Sequence, residues 1–192
     1  MLDALLQNPV QWLDGEGPHA DIVISTHCRL VRNLADYPFT SQCNGDTLEA
    51  VEKRIVESLA AINMDADGTY YSFSEVDDVQ AHFLMERRLI PPRLIHSSGA
   101  RGVHINDGQR ISLAINGADH ITLFGHASGQ QLHDIWSNLT RIDDSLVGMI
   151  DFTFDDQRGY LTASLADLGT GLKASALLHL PSLTMINAID SH

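Results

Sequence analysis

Apolar and polar positions recur with readable periods along most of this chain. The opening run Met1-Leu-Asp-Ala-Leu-Leu6 predicts a short amphipathic helix that stops before Pro9. Residues 12–19 are rich in Gly and Pro and read as a loop. Residues 21–30 predict a strand and its exit, built on the β-branched run Ile22-Val-Ile24. Leu48, Val51, Ile55, Leu59 and Ile62 stand at helical spacing, so residues 47–62 are predicted helical. The turn Asp65-Ala-Asp-Gly68 follows, then a β-rich patch over 70–73. A second helix is predicted over 76–89, halted by Pro91-Pro92.

Two strands, 102–106 and 111–115, flank Asp107-Gly108, a hairpin signal. Residues 121–124 give another strand. Residues 130–150 read as a helix with Leu132, Ile135, Trp136, Leu139, Ile142, Leu146 and Met149 on its buried side. Strands at 151–154, 161–163 and 174–180 complete the set. This order implies one α+β domain over residues 1–192, with a mostly antiparallel sheet flanked by helices.

Charge narrows the function. The formal net charge is -13, which argues against nucleic-acid partners and against docking on a membrane of anionic lipid. It also makes a polyanionic ligand unfavourable unless the 12 Lys and Arg residues are locally concentrated. Cys28 and Cys43 are the only cysteines, so no disulfide framework is implied and reduced thiols are expected. No apolar run approaches a membrane span, and the N-terminus lacks signal-peptide features, which makes the cytoplasm the default location.

No metal site is expected. Residues 63–68 carry the Asp-x-Asp-Gly order of a calcium loop, but Ser74 stands where the twelfth position needs Glu, so a plain turn is the reading. His120, His126 and His133 show no zinc spacing. Asp143-Asp144 and Asp155-Asp156 read as solvated acids, and Trp12 and Trp136 as packing anchors.

Candidate chemistry sits where the first strand ends. Ile22-Val-Ile24 opens onto Ser25, Thr26, His27, Cys28, Arg29 and Arg32. Hydroxyls and guanidiniums there can hold phosphate oxygens through charge-assisted hydrogen bonds. The segment resembles the Ser-Ser-Arg-x-Arg-x-x-Arg-Asn motif of the ATP:guanidino phosphotransferases, the family of creatine kinase, arginine kinase and the bacterial protein-arginine kinases. Four more segments resemble that family in order. Phe83-Leu-Met-Glu-Arg-Arg-Leu-Ile-Pro-Pro92 is similar to Leu-Val-Glu-(Arg/Lys)-His-Leu-Ile-Ser-Pro. Asn116-Gly-Ala-Asp-His120 is similar to Asn-Glu-Glu-Asp-His. Gly159-Tyr-Leu-Thr-Ala163, and Gly169-Thr-Gly-Leu-Lys-Ala-Ser175 with His179-Leu-Pro181, resemble Gly-Tyr-Leu-Thr and Gly-Thr-Gly-(Leu/Met)-Arg-Ala-Ser with His-Leu-Pro. The match is strongest over 21–181, and the bacterial protein-arginine kinases are the most similar branch in wording.

The resemblance implies a truncated phosphagen-kinase (glutamine-synthetase-like) catalytic domain. It also implies ATP and Mg2+ as cofactors, weakly held. In the family the domain continues beyond the Leu-Pro motif with more strands and a loop over the substrate. The resemblance places a vestigial nucleotide site at Ser25, Thr26, His27, Cys28, Arg29, Arg88, Thr122, Lys173, Ala174 and Ser175.

Phosphorylating a guanidine needs cations on the phosphates and a carboxylate that orients the guanidinium and accepts its proton. Here the charged signature positions have changed. Gly117 and Ala118 replace the glutamates, and no catalytic residue is assigned. His27, Thr122 and Lys173 replace arginines, Arg88 replaces a histidine, and Ser164 replaces the active-site cysteine. His27 is neutral for much of the time at neutral pH, and Lys173 lacks the two-pronged donor of Arg. The expectation is a catalytically impaired domain that acts by binding protein, a partner or a second copy. The alternative is a residual phosphotransferase completed by another chain, and a third reading is a non-functional remnant.

Overall fold

In the computed structural model, residues 2–186 and residue 189 are described. Helix α1 (Asp3–Gln7) leads through Trp12 to strand β1 (Val23–Arg32), then helix α2 (Gly45–Ala61), β2 (Gly68–Ser72), α3 (Asp78–Glu86) and α4 (Pro92–His96). Strands β3 (Gly102–Asn106), β4 (Ile111–Ile115) and β5 (Ile121–Ser128) precede α5 (Leu132–Val147). The small strands β6 (Phe154–Asp155) and β7 (Gly159–Tyr160), then β8 (Leu172–Leu178) and α6 (Pro181–Met185), follow.

The main sheet has the order β2-β3-β4-β5-β1-β8, and its neighbours pair antiparallel. Side chains alternate along β1: Ser25, His27, Arg29 and Val31 share one face, and Thr26, Cys28, Leu30 and Arg32 share the other. The second face is covered by α2 and α5. Cys28, Leu30, Leu113 and Leu123 pack there against Val51 and Ile55 of α2 and Ile135 and Leu139 of α5. Gly125 lets α5 come close, because a Cβ there would stand 2.4 Å from Ile135 Cγ2. On the first face, α1, α3 and α4 cover only the half made by β2, β3 and β4. Leu2, Leu84 and Leu94 pack there on Tyr71, Val103 and Ile105. Among the described residues no α-helix lies over the half made by β5, β1 and β8; only the short 3-10 turn Gln11–Leu13 touches it, with the Trp12 ring 5.4 Å from that of His27, and the candidate site lies on this half.

Local signals explain the helix ends. Asn44 caps α2 by accepting from Thr47 N at 2.8 Å. Asp77 and Gln80 form a capping box at α3. In the β3–β4 hairpin the left-handed residue is Gln109, at φ 53°, rather than Gly108. Asn106 Oδ1 braces the turn by accepting from Arg110 N and Ile111 N.

Several expectations need correction. Residues 161–163 form no strand; β7 ends at Tyr160, and Ala163 N donates to the Asp119 carboxylate instead of to a sheet. Trp136 is 46% exposed because it lies off the stripe that Ile135, Leu139 and Leu146 press on the sheet, and Met149, 43% exposed, falls in the turn after α5 ends at Val147. Trp136 is therefore no packing anchor, whereas Trp12 is buried and its Nε1–H donates to Arg87 O. Asp143 is not solvated: it occupies an inward position of α5, paired with Arg32. Helix α6 leaves Met185 and Ile186 exposed, and 187, 188 and 190–192 lie outside the described residues. Among the described residues no helix is long and apolar enough to cross a membrane.

Candidate functional site

The uncovered half-face is organised by cross-strand register. His27 stands opposite His126 of β5 and Ser175 of β8. Arg29 stands opposite Phe124 and Lys173, and Val31 opposite Thr122. In an antiparallel sheet such partners share a face. Strand pairing therefore brings Ser25, His27, Arg29, Thr122, Lys173 and Ser175 together from three distant parts of the chain.

The residue that replaces the first arginine enters a buried relay. Ser25 Oγ lies 2.9 Å from His27 Nε2, His27 Nδ1 lies 2.8 Å from His126 Nδ1, and His126 Nε2 lies 2.8 Å from Arg88 O. The partners fix the tautomers, since a carbonyl can only accept. His126 Nε2–H donates to Arg88 O, His27 Nδ1–H donates to His126 Nδ1, and the Ser25 hydroxyl donates to His27 Nε2. Both imidazoles are neutral in this chain of bonds. Burial, with the neighbouring His126 and Arg88, lowers His27 to about 3. Burial also lowers His126 to about 4, opposed by its bond to the Arg88 carbonyl. His27 thus supplies no positive charge near pH 7.

Arg88 is held by backbone geometry. At φ 61° it takes the left-handed position that ends α3, with Arg88 N on Met85 O and Leu89 N on Leu84 O. Its guanidinium lies 5.5 Å from the Trp12 ring. A recess of about 300 Å3 is lined by His27, Arg29, Arg88, Phe124, His126 and Lys173, with Met85, Ile90 and the two prolines as its apolar wall. A second recess, of about 420 Å3, shares Arg29, Pro91, Pro92 and Lys173 with it and continues past Arg93, Ala118, Asp119, Thr122 and Asp167. Four of the chain's 12 basic residues (Arg29, Arg88, Arg93 and Lys173) line this continuous hollow. That is the local concentration a phosphate ligand would need on a chain of net charge -13. Arg29 is ion-paired with Asp167, and its buried Nε has no hydrogen-bond partner.

Not every candidate points this way. Thr26 donates to Gly129 O at 2.9 Å and accepts from Gln131 N, fastening the entry to α5. The Cys28 side chain lies in the core, and burial pushes its thiol up. Ala174 stands opposite Cys28 and so shares that other face. These three side chains are removed from the hollow by strand alternation. Arg32 is removed too: it donates to Asp143 Oδ2 at 2.6 Å and to Val31 O and Thr170 O, under the Tyr160 ring. Its role here is an internal ion pair.

The bend at 116–120 shows what holds the signature loop. Asn116, at φ 57°, donates through its side chain to Leu48 O and Ala100 O. Asp119 Oδ1 accepts from Asn33 Nδ2 and Ala163 N, both at 2.7 Å. His120 Nδ1 accepts from Leu34 N, and His120 N donates to Asn33 Oδ1. These polar residues brace backbone. At Gly117 a Cβ would meet only Leu94 and Pro91, at 3.8 Å, so the loop has room for a side chain that the sequence does not supply.

A family model described as "ATP:guanido phosphotransferase, C-terminal catalytic domain" matches residues 50–191. The chain belongs to this family. Curated relatives of the chain include the protein-arginine kinase of Halothermothrix orenii, 35% identical over 191 residues, covering 98% of this chain and 54% of that protein. The protein-arginine kinase of Moorella thermoacetica is 37% identical over 183 residues, covering 94% and 52%. The chain therefore spans about half the length of the curated relatives it matches. Among solved structures, a taurocyamine kinase from Schistosoma mansoni with bound transition-state-analogue components superposes with a TM-score of 0.81 at 20% identity, over 92% of this chain and 26% of that one. Lombricine kinase gives 0.76 at 23%, over 96% and 54%. At those identities the likeness is one of fold: a helix-flanked antiparallel sheet.

Three residues of the hollow escaped the sequence reading. His126 had a usable signal, because it continues the alternation of Thr122 and Phe124 once β5 is extended to Ser128. Asp167 and Arg93 had none, since each reaches the hollow from a loop or a short helix whose direction only packing sets.

Proposed function

We propose that this domain is a catalytically impaired member of its family that acts by binding protein. The observation that carries the reading is the state of the acids at the second recess. Gly117 and Ala118 stand at the signature glutamate positions, Asp119 is 3% exposed and bonded to Asn33 and Ala163, and Asp167 is paired with Arg29. A general base needs a carboxylate within hydrogen-bond reach of the proton it takes; the two signature positions supply none, Asp119 Oδ1 is spent on Asn33 and Ala163, and Asp167 rests on the phosphate-facing Arg29.

The cations fit a phosphate group. The orphaned Nε of Arg29 is a buried donor at the hollow, and Lys173 lies opposite it. ATP would be held there weakly, with Mg2+ bound alongside its phosphates to neutralise charge. The protein-binding half of the reading is supported by β8. This edge strand is exposed from Lys173 to Leu178 and presents Leu177 and Leu178, 38% and 47% exposed, beside Ile22 at 49%. An open edge of this kind pairs readily with a strand from another chain or a second copy. The default location for such a domain is the cytoplasm.

The test is incubation with Mg-ATP and an arginine-rich protein, followed by mass spectrometry for acid-labile phosphoarginine. No product is expected. Clear turnover that disappears in Arg29→Ala overturns the reading. The alternative, a phosphotransferase completed by another chain, is favoured by one observation: a strand added at β8 would lie directly beside Lys173 and Ser175. It requires activity to appear when that second chain is added.

A further inference from the structure

Arg29 is the one arginine of β1 that faces the hollow, and a carboxylate of the same chain already sits on it. Asp167 comes from the short 3-10 turn Leu165–Asp167, 138 residues along the chain. Their contact uses a single prong. Arg29 Nη2 donates to Asp167 Oδ1, while the buried Arg29 Nε–H has no partner. A guanidinium presents Nε and Nη2 as a fork that matches two oxygens of one anion. The seat on Arg29 is therefore taken but half-satisfied. Lys173 stands opposite Arg29 on β8 and lines the same recess as Arg29 and Asp167.

We propose that Asp167 is a tethered competitor for phosphate, and that it sets how strongly the hollow takes an anionic ligand. The inference rests on the reading of the hollow as a weak anion site. A carboxylate on the same chain acts at high effective concentration, so an incoming anion must displace it before reaching Arg29. Anions with one phosphate lose that contest. A di- or triphosphate wins more often, because it offers oxygens to the Arg29 fork and to Lys173 together. Displacement asks for a shift of the Asp167 side chain in a short turn whose Leu165 side chain is 87% exposed.

The experiment is calorimetry at low salt with inorganic pyrophosphate and with Mg-ATP. It compares the wild-type chain, Asp167→Asn, Asp167→Ala and the double variant Asp167→Asn with Arg29→Met. Either change at Asp167 should tighten pyrophosphate binding about tenfold or more, as expected for removing a charge that competes at contact distance. The double variant should lose the gain. Melting curves identify any variant that does not fold, and the second substitution then carries the test. Unchanged or weaker binding in the folded Asp167 variants overturns the proposal alone, as does a gain that survives without Arg29. If neither wild type nor variants bind pyrophosphate or ATP at millimolar concentration, the anion-site reading falls together with the proposal.

Discussion

The buried histidine relay should make the fold sensitive to mild acid. In the folded chain His27 and His126 are 6% and 3% exposed and hold their protons only at low pH, near about 3 and about 4. Unfolding returns each to the ordinary value near 6.5. Above about pH 6.5 both states are neutral and the relay carries no acid penalty. Below it the unfolded chain gains protons that the folded chain cannot take, so stability falls as pH drops toward the folded values. Between about pH 7.5 and pH 5 the loss is about 2 kcal/mol for each histidine, or roughly 4 kcal/mol for the pair. The Arg88 guanidinium, near Trp12, adds to the cost of charging the relay.

The variant His27→Asn keeps a donor toward His126 and removes one titrating group. Its stability at neutral pH will shift by some constant amount. Its further loss on acidification should be about half that of wild type, about 2 kcal/mol over the same range. Urea denaturation at a series of pH values, followed by circular dichroism, measures both slopes. Carboxylates titrate alike in the two proteins, so the difference isolates the imidazole. Equal slopes, or a wild-type loss below about 1 kcal/mol, would show that the pair is not held neutral and would refute the relay.

Asp143→Asn should destabilise by about 3–5 kcal/mol, because it leaves the buried Arg32 guanidinium without its counter-charge; thermal melting checks this. Gly125→Ala should cost about 1–3 kcal/mol by driving a Cβ to 2.4 Å from Ile135 Cγ2, and Ile135→Ala in the same chain should return part of that cost. If β8 is a docking edge, Leu177→Lys should shift the chain toward monomer in light scattering, and a wild-type chain that is already monomeric at tens of micromolar counts against that role. ATP binding, where detectable, should weaken steeply with salt and depend on Arg29 and Lys173; tight, salt-insensitive binding would place the nucleotide elsewhere.

Much of this was legible in the residues. The strands Gly102–Asn106 and Ile111–Ile115 and helix α2 follow from period and turn chemistry, because each closes its hydrogen bonds locally. The family followed from five ordered segments whose glycine and apolar positions hold while their charged positions change. Alternation along β1 also implied that Ser25, His27 and Arg29 share a face.

Partnership was not legible. Alternation puts Arg29 and Arg32 on opposite faces, yet nothing in the sequence shows that one is paired with Asp167 and the other locked onto Asp143 inside the α5 layer. Trp136 fits a helical stripe as well as Ile135 does, and only the angle of α5 on the sheet leaves it in solvent. The neutrality of His27 depends on His126, 99 residues away, and the occupation of Arg29 depends on Asp167, 138 residues away. Periodicity determines which face a side chain takes. What that face meets depends on strand order, register and the close approach of helices, which only the packed sheet decides, because those contacts are long-range and gain their energy only when formed together.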